Sequence, residues 1–273
     1  MLRYSEDRLP VILILSLTAL DFVLYFAVDN ILVLMLYYVA TIIPKGCICA
    51  WNHHHQHTKT FSWTPLNRIL ELSYAFHTGI TTNLWLLHHV FGHHHNYLDQ
   101  TKDESRWKRD NGEAMGVWEY TLNVAATAYY RGYQVGKRYP KHYRTHLIYT
   151  IVAFSIVALL TIANPLQGFM LFVLPMITGL LITAWATYDH HAGLDEEENH
   201  FEASYNNLSP IFNALTGNLG YHTAHHYKQG VHWSKLPALH EKIKHQIPEA
   251  LYRSSFWDIF DRNWILRLFS LGN

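Results

Sequence analysis

Histidine dominates the side chains of this sequence that could do chemistry. Of the 273 residues, 21 are histidine, as many as all the lysines and arginines together. Histidine serves mainly in acid–base chemistry and in metal binding. The histidines are also grouped, and five of them fall between residues 88 and 95. An isolated histidine is usually a hydrogen-bonded core residue, but this density favours metal ligands.

The first two histidine clusters contain pairs separated by four residues. His53 and His57 would share one face if the apolar segment before them continues as a helix. His89 and His93 have the same spacing, and His94 would lie one position further round that helix. We expect the histidines between and beside them to point elsewhere.

Two further clusters lie later in the chain. His222, His225 and His226 occupy positions i, i+3 and i+4, so one helical turn can present all three imidazoles to the same point. His191 follows an apolar segment, where a histidine could also simply face lipid headgroups. The candidate metal ligands are therefore His53, His57, His89, His93, His94, His191, His222, His225 and His226.

Nine imidazoles exceed the needs of a single zinc ion, which takes three or four protein ligands. The set favours two metal ions, and imidazole-rich sites suit iron as well as zinc or copper. A zinc protease of the HExxH type is disfavoured because His54 stands where the general-base glutamate is needed. The Glu-x-x-His pairs of carboxylate-bridged di-iron bundles are absent from the clusters. Cys47 and Cys49 are the only cysteines, and their spacing builds neither a CxxC metal site nor a disulfide framework.

Four apolar segments must position these clusters. Each is long enough to cross about 30 Å of hydrocarbon, and together they exceed the core helices of an ordinary soluble protein. We therefore predict an all-α integral membrane protein with one domain, residues 1–273. Its four transmembrane helices would form two hairpins, and the remainder a helical cytoplasmic cap that holds the metal site. The predicted spans are 10–28, 31–51, 147–163 and 166–187, and the predicted cap is 52–146 with 188–273.

The basic residues predict the orientation in the membrane. Arg3 and Arg8 precede the first span, and Lys45 is expected where the second span leaves the membrane. All other basic residues fall between positions 59 and 144 or from 228 onward. The positive-inside rule then places both termini and the histidine clusters in the cytoplasm, with a bacterial inner membrane favoured over the endoplasmic reticulum. The balance of 21 basic and 21 acidic residues argues against a nucleic-acid partner.

One stretch of the predicted cap has apolar side chains at helical spacing. It is followed by a group of basic residues, as in an amphipathic helix that lies in the headgroup region. The alternative interpretation is a stripe that faces the core of the cap. The residues of this stretch are Met115, Trp118, Leu122, Ala125, Tyr129 and Tyr133.

The boxes HxxxH, HxxxHH and HxxHH, in this order against the spans, resemble the membrane fatty-acid desaturase superfamily. The extra histidine His191, and the segment from His232 to Pro237 that follows the last box, are part of this resemblance, which covers most of the chain. The resemblance implies two irons held by the nine histidines at the cytoplasmic face, with O2 as co-substrate and no further catalytic residue. The first box departs from the common pattern at His54. The second box, with Gly92 directly before His93 and His94, resembles the corresponding motif of the alkane hydroxylase branch.

Desaturation of a fatty acyl chain is the predicted reaction. Alternatives within the same chemistry are an alkyl-chain hydroxylase, an alkene-forming fatty-acid decarboxylase and a carotenoid ketolase or hydroxylase. A non-catalytic membrane metal-binding protein is the alternative from another class. It is disfavoured because no candidate ligand lies within the spans 147–163 or 166–187, as a path across the bilayer requires.

The predicted reaction needs two partners besides O2. The lipid or fatty acyl substrate would enter from the membrane. Two electrons per turnover would come from a separate donor of the ferredoxin, rubredoxin or cytochrome b5 type, because no fused redox domain fits beside the spans and clusters. The two cysteines cannot form a four-cysteine iron site.

Overall fold

The structure is a computed structural model that describes residues 1–194 and 199–253. Residues 195–198 and 254–273 of the predicted cap lie outside this description. The described chain is mostly helical, and its named strands are β1 (Asn206–Asn207) and β2 (Tyr252–Arg253), which pair in parallel. The all-α prediction is confirmed.

The helices position the histidine clusters at helix ends or in short helices. Four helical runs of the described chain are long and apolar enough to cross a membrane: Ser5–Ala27, Ile31–His57, Pro140–Ala163 and Pro165–His191. In chain order the helices are α1 (Arg8–Ala27), α2 (Ile31–His57), α3 (Thr64–Thr78), π1 (Leu86–His94), α4 (Val117–Gly136), α5 (Pro140–Ala163), α6 (Pro165–Gly168), π2 (Phe169–Val173), α7 (Leu174–His191), α8 (Pro210–Thr216), α9 (His222–Tyr227) and α10 (Leu236–Ile243).

All four apolar runs extend beyond the predicted spans, and the first begins at Ser5 instead of position 10. The second continues six residues past position 51 to His57, and the third begins at Pro140 instead of 147. The fourth continues from 187 to His191. A helix satisfies its own backbone hydrogen bonds, so it can continue beyond the apolar stretch into polar sequence. Proline at the first helical position has a pre-set φ, which explains why the third and fourth runs start where they do.

The chain divides into two compact units. Unit 1 comprises Met1–Leu87 and Gly136–Thr183, and unit 2 comprises His88–Val135 and the chain from Ala184 onward. The main core of unit 1 contains Tyr25, Leu34, Phe76, Leu171 and Phe172. Outside this core the apolar runs carry many exposed aliphatic side chains, as expected for helices that face lipid.

Lys45 does not mark the end of the second span. It is buried inside α2, and its Nζ lies 2.9 Å from both carboxylate oxygens of Asp21 in α1. The Tyr37 hydroxyl donates to the same carboxylate at 2.6 Å, and Nδ1 of His77 lies 3.4 Å from it. An unpaired charge within an apolar segment is costly, so the two opposite charges of adjacent segments pair.

Unit 2 has two smaller cores. In the first, Tyr120 and Val124 of α4 pack with Trp107 and Met115. The Tyr120 hydroxyl also donates to the Ser105 carbonyl at 2.9 Å, which fixes the loop that precedes α4. The second core joins the last histidine cluster to α10 and contains Ala224, Ile243, Ile247 and Leu251.

Candidate metal centre

The second histidine cluster lies in a π-helix rather than the α-helix that its spacing predicted. π1 spans Leu86–His94. A π-helix places residues five apart above one another, and such turns occur often at functional sites. His89 and His94 therefore come together, with their Nε2 atoms 2.9 Å apart. His93 contributes to a different group.

The first group of convergent histidines in unit 2 is His89, His94 and His225. Each offers a ring nitrogen, and these nitrogens lie within 4.8 Å of one another. The Nε2 atoms of His94 and His225 are 3.0 Å apart. All three side chains are buried. Imidazole nitrogens this close together are compatible with binding one metal ion.

The second group is His93, His191 and His226, whose ring nitrogens also lie within 4.8 Å of one another. His222 adjoins it, because its Nε2 is 3.1 Å from Nε2 of His191 and 3.2 Å from Nε2 of His226. The last box therefore does not present its three histidines to one point. Neighbours on a helix diverge by about 100°, so His225 joins the first group and His226 the second.

Asp103 fixes the orientation of His93. Its carboxylate oxygens lie 2.8 and 2.9 Å from Nδ1 of His93, and Ser105 N–H donates to it at 2.7 Å. An ionised carboxylate can only accept, so Nδ1 of His93 carries a proton toward Asp103 and Nε2 is turned away from it. That Nε2 is buried and has no hydrogen-bond partner within the described chain. This arrangement of carboxylate, imidazole and free nitrogen is the one that metal-binding histidines show.

His191 and His226 are also in the form that binds metal. Nδ1 of His191 donates to the carbonyl of Ala203 at 2.9 Å, which leaves Nε2 as the acceptor. Burial lowers the pKa of His226 well below its usual value, and the nearby His222 and His191 lower it further. A neutral imidazole is the ligand form of histidine, so both residues fit a metal ion.

Tyr97 is a neighbour of the second group that no sequence motif indicated. Its ring centroid is 4.3 Å from that of His226, and its hydroxyl lies 2.8 Å from Nδ1 of His200. Burial raises the pKa of Tyr97 above its usual range, so the hydroxyl stays protonated. Beside the other end of the group, His190 stacks on His222 with ring centroids 3.9 Å apart.

The chain before α9 fixes the position of the last histidine box. Asn206 accepts from the backbone N–H of Thr223 at 3.1 Å and donates to the Thr223 hydroxyl at 2.8 Å. Gly220 passes so close to the neighbouring backbone that a Cβ atom there would lie 2.0 Å from the Asn207 carbonyl oxygen. Only glycine fits this approach, which brings the start of α9 against β1.

In unit 1, His53 and His57 lie on one face of the last turns of α2, as the sequence predicted. Their ring centroids are 5.0 Å apart. His55 points away from them, because its Nδ1 lies 2.9 Å from the Thr60 hydroxyl and its Nε2 lies 3.0 Å from Oε1 of Glu71. Both ring nitrogens of His55 are thus engaged, and the expectation that it points elsewhere is confirmed.

Glu71 is the centre of a charged cluster that holds the end of α2. It lies 3.0 Å from Nε2 of His55 and 2.8 Å from Nζ of Lys59. Burial by itself raises the pKa of Glu71, but the hydrogen bond from His55 and the charge of Lys59 outweigh it and hold the pKa well below the usual value. The carboxylate therefore stays ionised and keeps His55 turned away from the face of His53.

The comparison with known families agrees with this donor set. A family model described as fatty acid desaturase matches residues 29–260. The chain belongs to the fatty acid desaturase family. The match covers most of the chain, including all nine candidate ligands. No curated protein and no solved structure matches the chain.

Family membership makes the chain a fatty acid desaturase-like oxidoreductase that acts on lipids. The resemblance stated from the histidine boxes is thereby confirmed. In this desaturase-family chain the two histidine groups of unit 2 are compatible with metal binding. Asp103, Tyr97 and the carbonyl of Ala203 are the site neighbours that the sequence alone did not indicate, because each reaches its histidine only through the folding of a loop.

Proposed function

We propose that the chain is a non-haem di-iron desaturase that uses O2 to introduce a double bond into a fatty acyl chain. The observation that carries this proposal is the pair of convergent histidine groups in unit 2. His89, His94 and His225 would bind one iron. The other iron would be bound by His93, His191 and His226, with His222 beside them.

His53 and His57 are proposed as the remaining ligands. They share one face of α2, their rings are adjacent, and they form the HxxxH box of the resemblance. The hydrogen bonds of His55 support this register, because they place His55 on a different face of α2 from His53 and His57. The proposed ligand set therefore remains the nine histidines that the sequence indicated.

The proposed metal pair, when bound, supplies the O2-derived oxidant needed to break an unactivated C–H bond, which no side chain can provide. The protein positions the imidazoles and keeps water away from the reacting atoms. Asp103 keeps the proton on Nδ1 of His93, and the Ala203 carbonyl does the same for His191. The ligand histidines of unit 2 are all buried, which protects a reactive site from solvent.

We propose that the site lies at the cytoplasmic face of the membrane, in a bacterial inner membrane. Two of the four apolar runs end in a proposed ligand, at His57 and His191. If each run crosses once, the ends of the second and fourth runs emerge on the side of the N-terminus. The positive-inside rule makes that side cytoplasmic, with the acyl chain reaching the site from the bilayer.

The electrons are proposed to come from a separate carrier of the ferredoxin, rubredoxin or cytochrome b5 type. Desaturation with O2 consumes two electrons that the substrate does not supply. Cys47 and Cys49 both lie inside α2, two residues apart, and cannot form a four-cysteine iron site.

Product analysis tests the proposed reaction. The purified chain in lipid vesicles is given saturated acyl substrates, O2 and a reducing system, and the products are identified by mass spectrometry. An internal double bond supports desaturation. An alcohol would instead indicate the hydroxylase branch suggested by Gly92, and a chain-shortened terminal alkene a decarboxylase. Metal uptake without O2 consumption would overturn the enzymatic proposal.

A further inference from the structure

α4 presents a row of apolar side chains to the outside of the described structure. Trp118, Leu122, Tyr130 and Tyr133 are 47, 58, 61 and 41% exposed, and Ala126 between them is exposed as well. Their spacing of three or four residues places them on one stripe of the helix. Glu119 interrupts the first turn of this stripe, where it pairs with Arg109. Beyond it, exposed apolar side chains on one sector of a helix mark an interaction site.

The other faces of α4 are either buried in the core or polar. Tyr120 and Val124 belong to the core face, which is buried in unit 2. A polar face is held together by Arg131, which donates to the Thr127 hydroxyl at 2.7 Å and to Oδ1 of Asn123 at 2.8 Å. The exposed apolar stripe is therefore a third sector, distinct from the core face and from the polar face.

The end of α4 is attached to one of the membrane-crossing runs. A Cβ atom on Gly136 would lie 2.6 Å from Cδ2 of Tyr143, in the first turn of α5, and Tyr139 N–H donates to the Gly136 carbonyl at 2.9 Å. The uncharged part of α5 begins at Leu147, which is about 6 Å beyond Tyr143 along the helix axis. The headgroup region on each side of a bilayer is about 5–8 Å thick. The end of α4 is therefore close to headgroup level.

The composition of the stripe fits the membrane interface better than a protein partner. Tryptophan and tyrosine concentrate at this level because their rings are apolar and their N–H and O–H groups are polar. Exposed basic residues follow the helix and attract lipid phosphates. These residues are Lys137, Arg138, Lys141 and Arg144.

We propose that α4 lies in the interface of the lipid bilayer, with the stripe from Trp118 to Tyr133 inserted at the boundary of headgroups and acyl chains and the Asn123 side facing water. This resolves the two interpretations of the sequence stripe. Met115 belongs to the core, whereas the residues that follow at helical spacing include the exposed Trp118 and Leu122. The helix then adds a membrane contact outside the four apolar runs.

Spin labelling of the full chain in lipid vesicles tests the proposal. A nitroxide is attached to Leu122→Cys or, as the matched control on the same helix, to Asn123→Cys. Both variants are made in a background with Cys47→Ala and Cys49→Ala, whose iron content is first shown to match that of the parent. The accessibility of each label to lipid-soluble O2 and to a water-soluble nickel chelate is then measured.

The expected result is a ratio of O2 to nickel accessibility several-fold higher at position 122 than at position 123. Equal access of the nickel chelate to both positions would mean that the stripe faces water and would overturn the proposal. A strongly immobilised label at position 122 that neither reagent reaches would overturn it as well. In that case protein covers the stripe, either a second copy or another part of the chain.

Discussion

The two ring nitrogens of His93 have different surroundings, and this difference underlies the proposed role of the residue. Nδ1 is held by Asp103 at 2.8 Å, whereas the buried Nε2 has no hydrogen-bond partner in the described chain. A buried polar atom without a partner costs free energy, so its persistence calls for a function. Metal coordination at Nε2 accounts for both observations.

Replacing Asp103 with asparagine should weaken iron binding without removing a ligand. The amide lacks the negative charge that fixes the tautomer and raises the basicity of His93. We expect iron affinity to fall about 10–100-fold, the range found for partners of metal ligands. Competition with a calibrated chelator measures the affinity directly.

Asp99→Asn is the matched control for this change, because Asp99 lies in the same loop but pairs with Lys102 and Thr101 instead of a histidine. It should leave iron affinity unchanged. Equal iron affinity in Asp103→Asn and the parent would contradict the role given to Asp103.

Alanine substitutions separate the proposed ligands from the bystander histidines. A lost ligand removes a metal bond directly, so the loss of affinity should exceed the ~10–100-fold effect of an outer partner. Turnover and bound iron should both be lost in His53→Ala, His57→Ala, His93→Ala, His225→Ala and His226→Ala. Iron and measurable activity should be retained in His55→Ala, His77→Ala and His240→Ala.

His95→Ala is the closest control for His93→Ala, since His95 lies two residues further along and is exposed. His77 is instead bonded to Thr18, with Nε2 2.8 Å from the hydroxyl, so its removal should lower the unfolding temperature but not the iron content. Loss of iron in the bystander variants, with iron intact in His53→Ala, would show that the chosen register of the first box is wrong.

The candidate ligands could be selected from the sequence because their histidines are clustered and their spacing within each cluster is regular. Asp103 could not be selected in the same way. It is one of many acidic residues in polar loops, and it meets His93 only because the intervening chain turns back after π1. The division of the nine histidines into groups was equally hidden, because it depends on the pitch of π1 and on which side of α9 each residue lies.

At the level of elements, the ion pair between Asp21 of α1 and Lys45 of α2 should stabilise the fold only while both partners are present. Asp21→Asn leaves Lys45 charged and buried, and Lys45→Met leaves Asp21 in the same condition. Removing one partner of a buried ion pair typically costs about 3–5 kcal/mol. Replacing both partners by apolar or neutral groups leaves no buried charge uncompensated.

Thermal unfolding of Asp21→Asn, Lys45→Met and the double variant in one detergent measures this coupling. Each single variant should unfold at a clearly lower temperature than the parent, and the double variant should recover much of the loss. Single variants as stable as the parent would show that Lys45 reaches solvent and does not depend on Asp21.

The apolar runs were predictable because a helix in hydrocarbon must exclude charge over about twenty residues. The ends of these runs were not predictable, because beyond the hydrocarbon the same helix can continue into polar sequence. α2 reaches His57 in this way. The π-helix was hidden for another reason, since the interval from His89 to His93 also fits the ordinary α-helical pitch and nothing in the residue types distinguishes the two.

At the scale of the whole molecule, the described chain combines apolar runs suited to a membrane with buried clusters of imidazoles. The first feature explains how a chain of this family can meet a lipid substrate. The second gives the described residues clustered imidazoles that are compatible with metal binding. Neither feature requires the other, so their occurrence in one chain supports an oxidase of lipid chains over a metal transporter.

The metal content of the purified chain tests this account most directly. Elemental analysis by mass spectrometry, combined with Mössbauer spectroscopy of protein grown on ⁵⁷Fe, gives both the number and the kind of metal ions per chain. We expect close to two irons per chain and a marked loss of both in His93→Ala but not in His95→Ala. A single stoichiometric zinc without iron would contradict it and would point to a membrane hydrolase instead.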